Sequence, residues 1–405
     1  IKEVPFLMLI ALAAIGQVDT KRSAMIVQAL GYRRLTGWLK TVFPLVYAQI
    51  KFPIYVVLVY AMSVVDVAVI LGPNTPSTLS VQIVKLMSDP DLGMRLQAAA
   101  GALVQLFLVI GALGFWLIME RVVRRFGLAW IGTGQRGKYD TITRQIGLVL
   151  ALFCAFSVSF GIASLAIWSF AGYWGFPDFL PDQFILKNWM RHSDGTLEAL
   201  GETVLIGSVA TLTALALTIG CLEAEYRYKL RVTSRGMLLL YLPLLVPQTA
   251  FLPGLQTLML NVGLGVGRGP VIFAHLVFVL PYVFLSLADP FRAWDARMGT
   301  IAAALRASPD RVLWSVRLPM LLRPILTAAA VGLAVSVGQY LPTLLIGGGR
   351  IETLTTEAVA LASGGDRRAI GVYGLMQTAA ALVPFSLALL IPAIGWRNRR
   401  GLRHG

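Results

Sequence analysis

Long apolar runs separated by short polar segments dominate the chain. Eight runs are near 20 residues or longer, enough for a helix to cross a bilayer core of about 30 Å. A ninth run at 4–16 is too short to cross alone, and because it follows directly on Ile1 we expect the sequence to begin inside a span of an N-terminally truncated protein. The eight predicted spans lie at 50–71, 100–119, 146–172, 203–222, 237–260, 271–289, 323–347 and 370–396.

The composition excludes a soluble protein. Hydrophobic residues make up 57% of the chain and charged residues only 14%, whereas a soluble domain carries about 25% charge. The fold class predicted is therefore all-α, a polytopic membrane protein. Cys154 and Cys221 both fall inside apolar spans, so we expect small core residues rather than a disulfide.

The placement of the basic residues predicts the orientation. Segments 17–49, 120–145, 223–236, 290–323 and 397–405 hold 25 of the 35 Lys and Arg residues, while the alternate segments and Lys2 hold nine. The positive-inside rule places the basic set in the cytoplasm, and nine crossings satisfy it. The net charge of +15 is thus a topology signal, and its scatter over five segments argues against nucleic-acid binding.

A stretch near the N-terminus recurs 275 residues later. Residues Met25–Ile50 read MIVQALGYRRLTGWLKTVFPLVYAQI, and Thr300–Ile325 read TIAAALRASPDRVLWSVRLPMLLRPI, with Pro44 matching Pro319. A repeat of this size indicates two copies of one module, and parallel repeats in a membrane protein usually enclose a pathway.

The repeat divides the chain into modules. The C-terminal part of a first, incomplete module is predicted at 1–119, a basic cytoplasmic linker at 120–145, a complete second module at 146–396, and a basic cytoplasmic tail at 397–405.

Each repeated loop, 17–46 and 294–319, reads as two short helices. Helix formers run up to Leu30 in the first copy, and Gly31 breaks them. In the second copy, Ser308 and Pro309 have the residue types of an N-cap and a first helical position. We expect Leu313 on an apolar side of the helix that follows and Arg317 on a polar side.

These loops resemble the cytoplasmic coupling loop of binding-protein-dependent ABC importer permeases. That family's pattern is EAA, three residues, Gly, then about a dozen residues to a Leu-Pro step. The sequence departs from it at Met25 and Thr300, where the acidic residue is expected, and at Arg306, where Gly is expected, so the second docking site is predicted to be altered. The resemblance assigns ATPase coupling to Ala29, Leu30, Gly31, Pro44, Ala302, Leu305, Arg306 and Pro319.

The resemblance also implies the function. It suggests two parallel repeats of the type I importer fold, the first incomplete, in a bacterial inner membrane. The partners implied are a dimer of ATP-binding subunits on the cytoplasmic face and a periplasmic solute-binding protein. Fused double permeases of this kind occur among ferric-iron and thiamine uptake systems. Two alternatives stay open: a secondary transporter with parallel repeats, and a truncated remnant that transports nothing.

One carboxylate is predicted well inside a span. Ionisable groups are costly in lipid and usually face a protein interior or a wet cavity. Asp66 in the span 50–71, with Gln339 and Tyr340 from the second module, are therefore candidates to line the solute path. A structural role for Asp66 is the alternative.

The remaining motifs do not point to an enzyme. GTGQRGK at 132–138 has the glycine and lysine spacing of a phosphate loop, but Tyr139 stands where Ser or Thr should hold magnesium. His192, His275 and His404 are too scattered for a metal site. The sequence predicts no cofactor and no catalytic residue.

Overall fold

The computed structural model of the protein describes residues 3–16, 18–137, 140–175, 177–230 and 232–395. Within these ranges the regular structure is helical, and the one β-type pairing is an isolated antiparallel bridge between Ala171 and Phe184. The expected basic tail 397–405 lies outside the described residues.

The helices are named here in chain order. The first eight are α1 (Val4–Gly16), α2 (Thr20–Ala29), α3 (Arg34–Thr41), α4 (Phe43–Ser63), α5 (Asp66–Leu71), α6 (Leu79–Met87), α7 (Met94–Gly132) and α8 (Asp140–Phe170). The next seven are α9 (Lys187–Arg191), α10 (Ser193–Tyr228), α11 (Ser234–Leu245), α12 (Gln248–Asn261), α13 (Arg268–Arg292), α14 (Ala296–Ala304) and α15 (Pro309–Val312). A π-helical turn, Leu313–Arg317, precedes α16 (Leu318–Met320), α17 (Leu322–Val337), α18 (Tyr340–Gly347), α19 (Leu354–Gly364) and α20 (Arg367–Gly395).

The described helices include six that are long and apolar enough to cross a membrane, or up to eight if two bent pairs each count as one span. These correspond to the eight long runs, which confirms the polytopic all-α prediction. The ninth run forms α1, a helix of 13 residues.

Three of the predicted spans are broken rather than continuous, which corrects the sequence prediction. The run 237–260 forms α11 and α12, whose axes differ by 105°. The run 50–71 ends as α4 at Ser63, and the run 323–347 is interrupted at Gly338 and Gln339. Asp66 therefore lies at the first residue of a short helix, not in the middle of a span.

Helix α7 is longer than predicted. Its 39 residues correspond to about 58 Å at 1.5 Å per residue, nearly twice the thickness of the bilayer core. The first half of the segment predicted as a linker, 120–145, is thus helix up to Gly132.

The chain divides into two compact units. The first comprises 1–64 and 83–164. In it α1 and α7 pack against α4, and α2 packs on α3. A small apolar core formed by Ala14, Val42 and Val46 joins α1 to the start of α4.

The second unit comprises 65–82 and 165–405. Here α10, α13, α17 and α20 pack on one another. An extensive apolar core lies between α10, α13 and the segment leading into α17, and it is built around Leu222, Val283, Phe291, Trp294 and Leu313. Small residues permit the close approach of these helices, since a Cβ on Gly332 of α17 would lie 2.7 Å from the Thr211 methyl group of α10.

The order of helices recurs along the chain. α2 and α3 are followed by a long helix, a break and a short helix (α4, α5), then by α6 and α7. The same sequence of elements is found about 275 residues later as α14, α15 with the π-helical turn, α17, α18, α19 and α20. The helix bounds thus follow the repeat seen in the residues.

Candidate functional site

Both repeated loops fold as a short helix, a tight turn and a second short helix. In each, an aspartate caps the first helix: the Asp19 carboxylate accepts a hydrogen bond from the Arg22 amide at 3.0 Å, and that of Asp295 accepts one from the Arg297 amide at 3.0 Å. Ser308 caps α15 by accepting from the Arg311 amide, with Pro309 in the first turn. The predicted cap at Ser308 and the predicted helix pairs are therefore present, and the two aspartate caps are additional to the prediction.

The turn between the two helices has a left-handed residue in both copies. Gly31 has φ of 74°, and Arg306 at the matching position has φ of 59°. Glycine adopts this conformation freely, whereas a residue with a Cβ does so at a cost of about 1 kcal/mol. Arginine at this position therefore keeps the left-handed turn, although the residue type departs from the family pattern.

The residues that the resemblance assigned to coupling lie at the surface of their own units. Leu30 ends α2 with 57% of its surface exposed, and Leu305 ends α14 with 80% exposed. Ala29, Gly31, Arg306, Pro44 and Pro319 are exposed as well, and Ala302 is half-buried. Exposed leucines at matching positions give each loop an apolar surface available to a partner.

The two helices of the first loop touch at Gly37. A Cβ on Gly37 of α3 would lie 1.9 Å from a methyl carbon of Val27 in α2, so no larger residue fits. At the matching positions the second loop has Ala302 and Val312. The smaller residue of the pair is thus on the second helix in the first loop and on the first helix in the second loop. The repeat alignment contains this exchange, but a search for motifs does not detect it.

Arg317 holds the second loop against its unit, contrary to the prediction that it lies on a polar face. Only 3% of its surface is exposed. Its guanidinium donates to Glu223 at 2.8 Å and to the Phe291 carbonyl at 3.0 Å. It also lies over the rings of Phe291, Tyr226 and Trp294, with centroids at 3.9, 4.3 and 4.8 Å. The ion pair joins the π-helical turn to α10.

A second ion pair continues this anchor to the surface. Arg227 bonds Glu223 at 2.7 Å and reaches Asp310 at the start of α15, also at 2.7 Å. Glu223 thus lies between two arginines and fixes α15 and the π-helical turn to one end of α10. In the first loop, the position matching Arg317 is Val42, which packs in an apolar core.

The end of α7 packs on the first loop. The Lys40 ammonium donates to the carbonyls of Trp130 and Gln135 at 3.2 and 3.1 Å. The Arg33 amide donates to the Arg136 carbonyl at 3.1 Å. A Cβ on Gly31 would lie 3.4 Å from the Arg136 guanidinium. The segment that resembled a phosphate loop therefore lies on the first loop; its Lys138, and Tyr139 after it, fall outside the described residues.

A half-buried carboxylate that the sequence did not point to lies further back on α7. Glu120 accepts hydrogen bonds from the hydroxyls of Tyr47 and Tyr55, at 2.7 and 2.9 Å, and pairs with Lys51 at 2.8 Å. All three partners come from α4. The contact could have been predicted from the positions of Lys51 and Glu120, which lie at the ends of two neighbouring predicted spans.

Two of the three candidate pathway residues lie within electrostatic range of each other. Asp66 begins α5 and lies near enough to the Tyr340 phenol to act on it electrostatically. Gln339, at the break before α18, is buried, and its side-chain oxygen has no hydrogen-bond partner within the part of the chain that the structure describes. α5 also packs on α19. On α19 the pKa of the Glu357 carboxyl is raised, mainly by burial and to a smaller extent by the charge of Glu352.

A histidine not assigned by the sequence analysis bridges the same break. His275 of α13 is buried, with Nδ1 at 2.7 Å from the Ser336 hydroxyl and Nε2 at 2.9 Å from that of Thr343. Ser336 lies before the break and Thr343 after it. Among the described residues, no group of three or more His, Cys, Asp or Glu is placed to hold a metal.

Known proteins similar to this chain are permease components of membrane transport systems. Residues 216–394 match the family described as binding-protein-dependent transport system inner membrane component. The chain is 32% identical to the inner membrane ABC transporter permease protein YnjC of Escherichia coli K12, over 100% of this chain and 73% of that protein.

More distant relatives include two further permeases. The spermidine/putrescine transport system permease protein PotC of Haemophilus influenzae is 25% identical over 50% of this chain and 79% of that protein. The molybdenum transport system permease protein ModB of Azotobacter vinelandii is 31% identical over 42% and 82%.

These relatives are non-enzymatic membrane components whose ATPase is a separate subunit, which decides against the secondary transporter. The chain belongs to the family of binding-protein-dependent ABC transporter inner-membrane permeases.

Proposed function

We propose that this permease is a fused double permease of the ferric-iron and thiamine type. Its modules occupy 1–119 and 146–396, joined by 120–145. A dimer of ATP-binding subunits binds the loops 17–46 and 294–319, and a periplasmic binding protein delivers solute, in the inner membrane of a bacterium. The observation that supports this most is the exposed leucine at the same turn of both loops, Leu30 and Leu305.

Docking at these loops is mechanically suited to coupling. The second loop is anchored to α10 through Arg317 and Glu223, and the first is continuous with the spanning helix α4 through Val42. A force applied at either exposed turn is therefore carried to a long helix rather than absorbed in a flexible connection. The coupling residues are those predicted: Ala29, Leu30, Gly31, Pro44, Ala302, Leu305, Arg306 and Pro319.

The docking proposal is tested by placing a charge in each exposed turn. Leu30→Asp and Leu305→Asp should leave insertion intact and weaken binding of the ATP-binding subunit. Burial of a leucine is worth about 1.5–3 kcal/mol, which is roughly 10- to 150-fold in affinity. Leu92→Asp, at an exposed leucine outside both loops, is the matched control. Wild-type affinity and ATPase stimulation in both loop variants would reject this docking surface.

We further propose that Asp66, Gln339 and Tyr340 line the solute path and that the solute is cationic. Support comes from the carboxylate near Tyr340 and from the unpartnered, buried oxygen of Gln339, since both groups favour hydrogen-bond donors and positive charge.

The path is tested by solute uptake into liposomes that contain the whole complex. Asp66→Asn keeps size and hydrogen bonding but removes the charge, so uptake per folded complex should fall while ATPase binding persists. Asp89→Asn, an exposed loop carboxylate, is the control. An uptake rate equal to that of wild type would remove Asp66 from the path, and a lower protein yield with normal uptake would make it a structural residue.

A further inference from the structure

We propose that Arg136 and Arg306 are equivalent contacts for the ATP-binding subunits, each supplying one guanidinium at the turn of a repeated loop. This inference rests on the proposed docking function and adds a charged contact to it. The guanidinium belongs to the turn residue itself in the second loop. In the first loop it is contributed by the segment after α7.

The backbone of Arg306 is the first argument. Gly31 occupies the same left-handed turn, with φ of 74° against 59° for Arg306, and a glycine at position 306 would remove the strain. Side chains held in such a conformation are commonly functional. The Arg306 side chain is exposed, so it does not stabilise the fold by packing, and a contact with a partner explains its presence.

The surroundings of Gly31 are the second argument. The space next to its Cα holds the guanidinium of Arg136, with Nη1 3.4 Å from where a Cβ would stand. Arg136 is placed there by backbone contacts: Lys40 donates to the Gln135 carbonyl, and the Arg33 amide donates to the Arg136 carbonyl. The Arg136 guanidinium therefore lies beside the turn at Gly31, within van der Waals reach of a Cβ at that position.

The neighbours of the two guanidiniums indicate the occupant. Leu30 and Leu305 directly precede the two turns and are exposed, so each turn offers an apolar side chain beside a positive charge. A partner that satisfies both has a carboxylate at the edge of an apolar groove. Two such turns in one repeated chain fit a partner with two equivalent grooves, which is the dimer of ATP-binding subunits.

The experiment measures binding of the purified cognate ATP-binding subunit to the full-length chain in nanodiscs. Arg136→Ala leaves the backbone contacts of Arg136 in place, and Arg306→Gly removes backbone strain, so both variants should fold. Loss of a charge-assisted hydrogen bond should weaken binding about tenfold in each. Arg124→Ala, an exposed arginine on α7, is the control for a general loss of positive charge and should bind as wild type.

A transplant between the loops gives the sharper test. Gly31→Arg alone places two guanidiniums together and should weaken binding. Gly31→Arg combined with Arg136→Ala reproduces the arrangement of the second loop and should bind more tightly than Arg136→Ala alone.

Three results would overturn the proposal: unchanged binding in Arg136→Ala or in Arg306→Gly, an equal loss in Arg124→Ala, or no recovery in the transplant. If Leu30→Asp and Leu305→Asp still weaken binding, these failures reject the guanidinium contact alone and leave the docking function standing.

Discussion

The ion pair between Arg317 and Glu223 anchors the second loop, and we expect the loss of stability to depend on which partner is replaced. Glu223→Gln removes the carboxylate from Arg317, which is only 3% exposed. An uncompensated buried charge typically costs about 3–5 kcal/mol. The Phe291 carbonyl and three aromatic rings still contact the guanidinium. We therefore expect a loss of stability of about 3 kcal/mol, the lower end of that range.

The opposite change should cost less. Arg317→Met removes the cation, but Glu223 keeps Arg227 at 2.7 Å and is not left unpaired. It also removes the Arg317 Nε, which is buried and has no hydrogen-bond partner among the described residues, and methionine fills most of the apolar space of the arginine stem. The expected loss is about 1–2 kcal/mol, from the cation–π contacts and hydrogen bonds.

The two variants are compared by thermal unfolding in detergent. Glu225→Gln is the matched control, because Glu225 lies on the same helix and pairs with the more exposed Arg292; it should cost less than about 1 kcal/mol. The reasoning is refuted if Arg317→Met lowers the unfolding temperature as much as Glu223→Gln does.

Three further predictions concern packing and pH. Gly37→Ala should disrupt the first loop and lower ATPase stimulation, and adding Val27→Ala should restore it, as measured in reconstituted complexes; no recovery would contradict the close contact. Gly371→Ala should destabilise the second unit in a thermal melt, since its Cβ would lie 2.6 Å from the Ser169 amide nitrogen. Because burial raises the pKa of Glu357, its contribution to stability is full at low pH and is lost as pH rises through that raised pKa. The melting temperature of Glu357→Gln should therefore not show that loss, and it should rise relative to that of wild type as the pH is raised.

The sequence was sufficient to locate the spans but not their bends. A hydropathy window measures only how apolar a stretch is, and the run 323–347 is apolar on both sides of Gly338. The same holds for 50–71, where β-branched Val64 and Val65 separate α4 from α5. The breaks depend on tertiary contacts such as the bridge made by His275, which a local pattern does not contain.

The candidate site was predicted in its local features and missed in its long-range ones. The cap at Ser308 and the break at Gly31 follow from residue type and were predicted, whereas the caps at Asp19 and Asp295 were not. Arg317 was assigned to the wrong environment for two reasons. The π-helical turn changes the helical period on which its face was judged, and its partner Glu223 lies 94 residues away.

The hydrogen bonds of His275 have a further consequence. The Thr343 hydroxyl donates to the Gln339 carbonyl at 2.7 Å, so its oxygen is left to accept from Nε2, and Nδ1 accepts from Ser336. Burial of His275 favours the neutral ring, and a neutral ring with these partners takes one tautomer, with a direction from Ser336 through the imidazole to the backbone at the break. A spanning helix thereby gains an oriented polar contact without bringing a net charge into the hydrocarbon, and nitrogen chemical shifts of a labelled ring would distinguish this tautomer from the other.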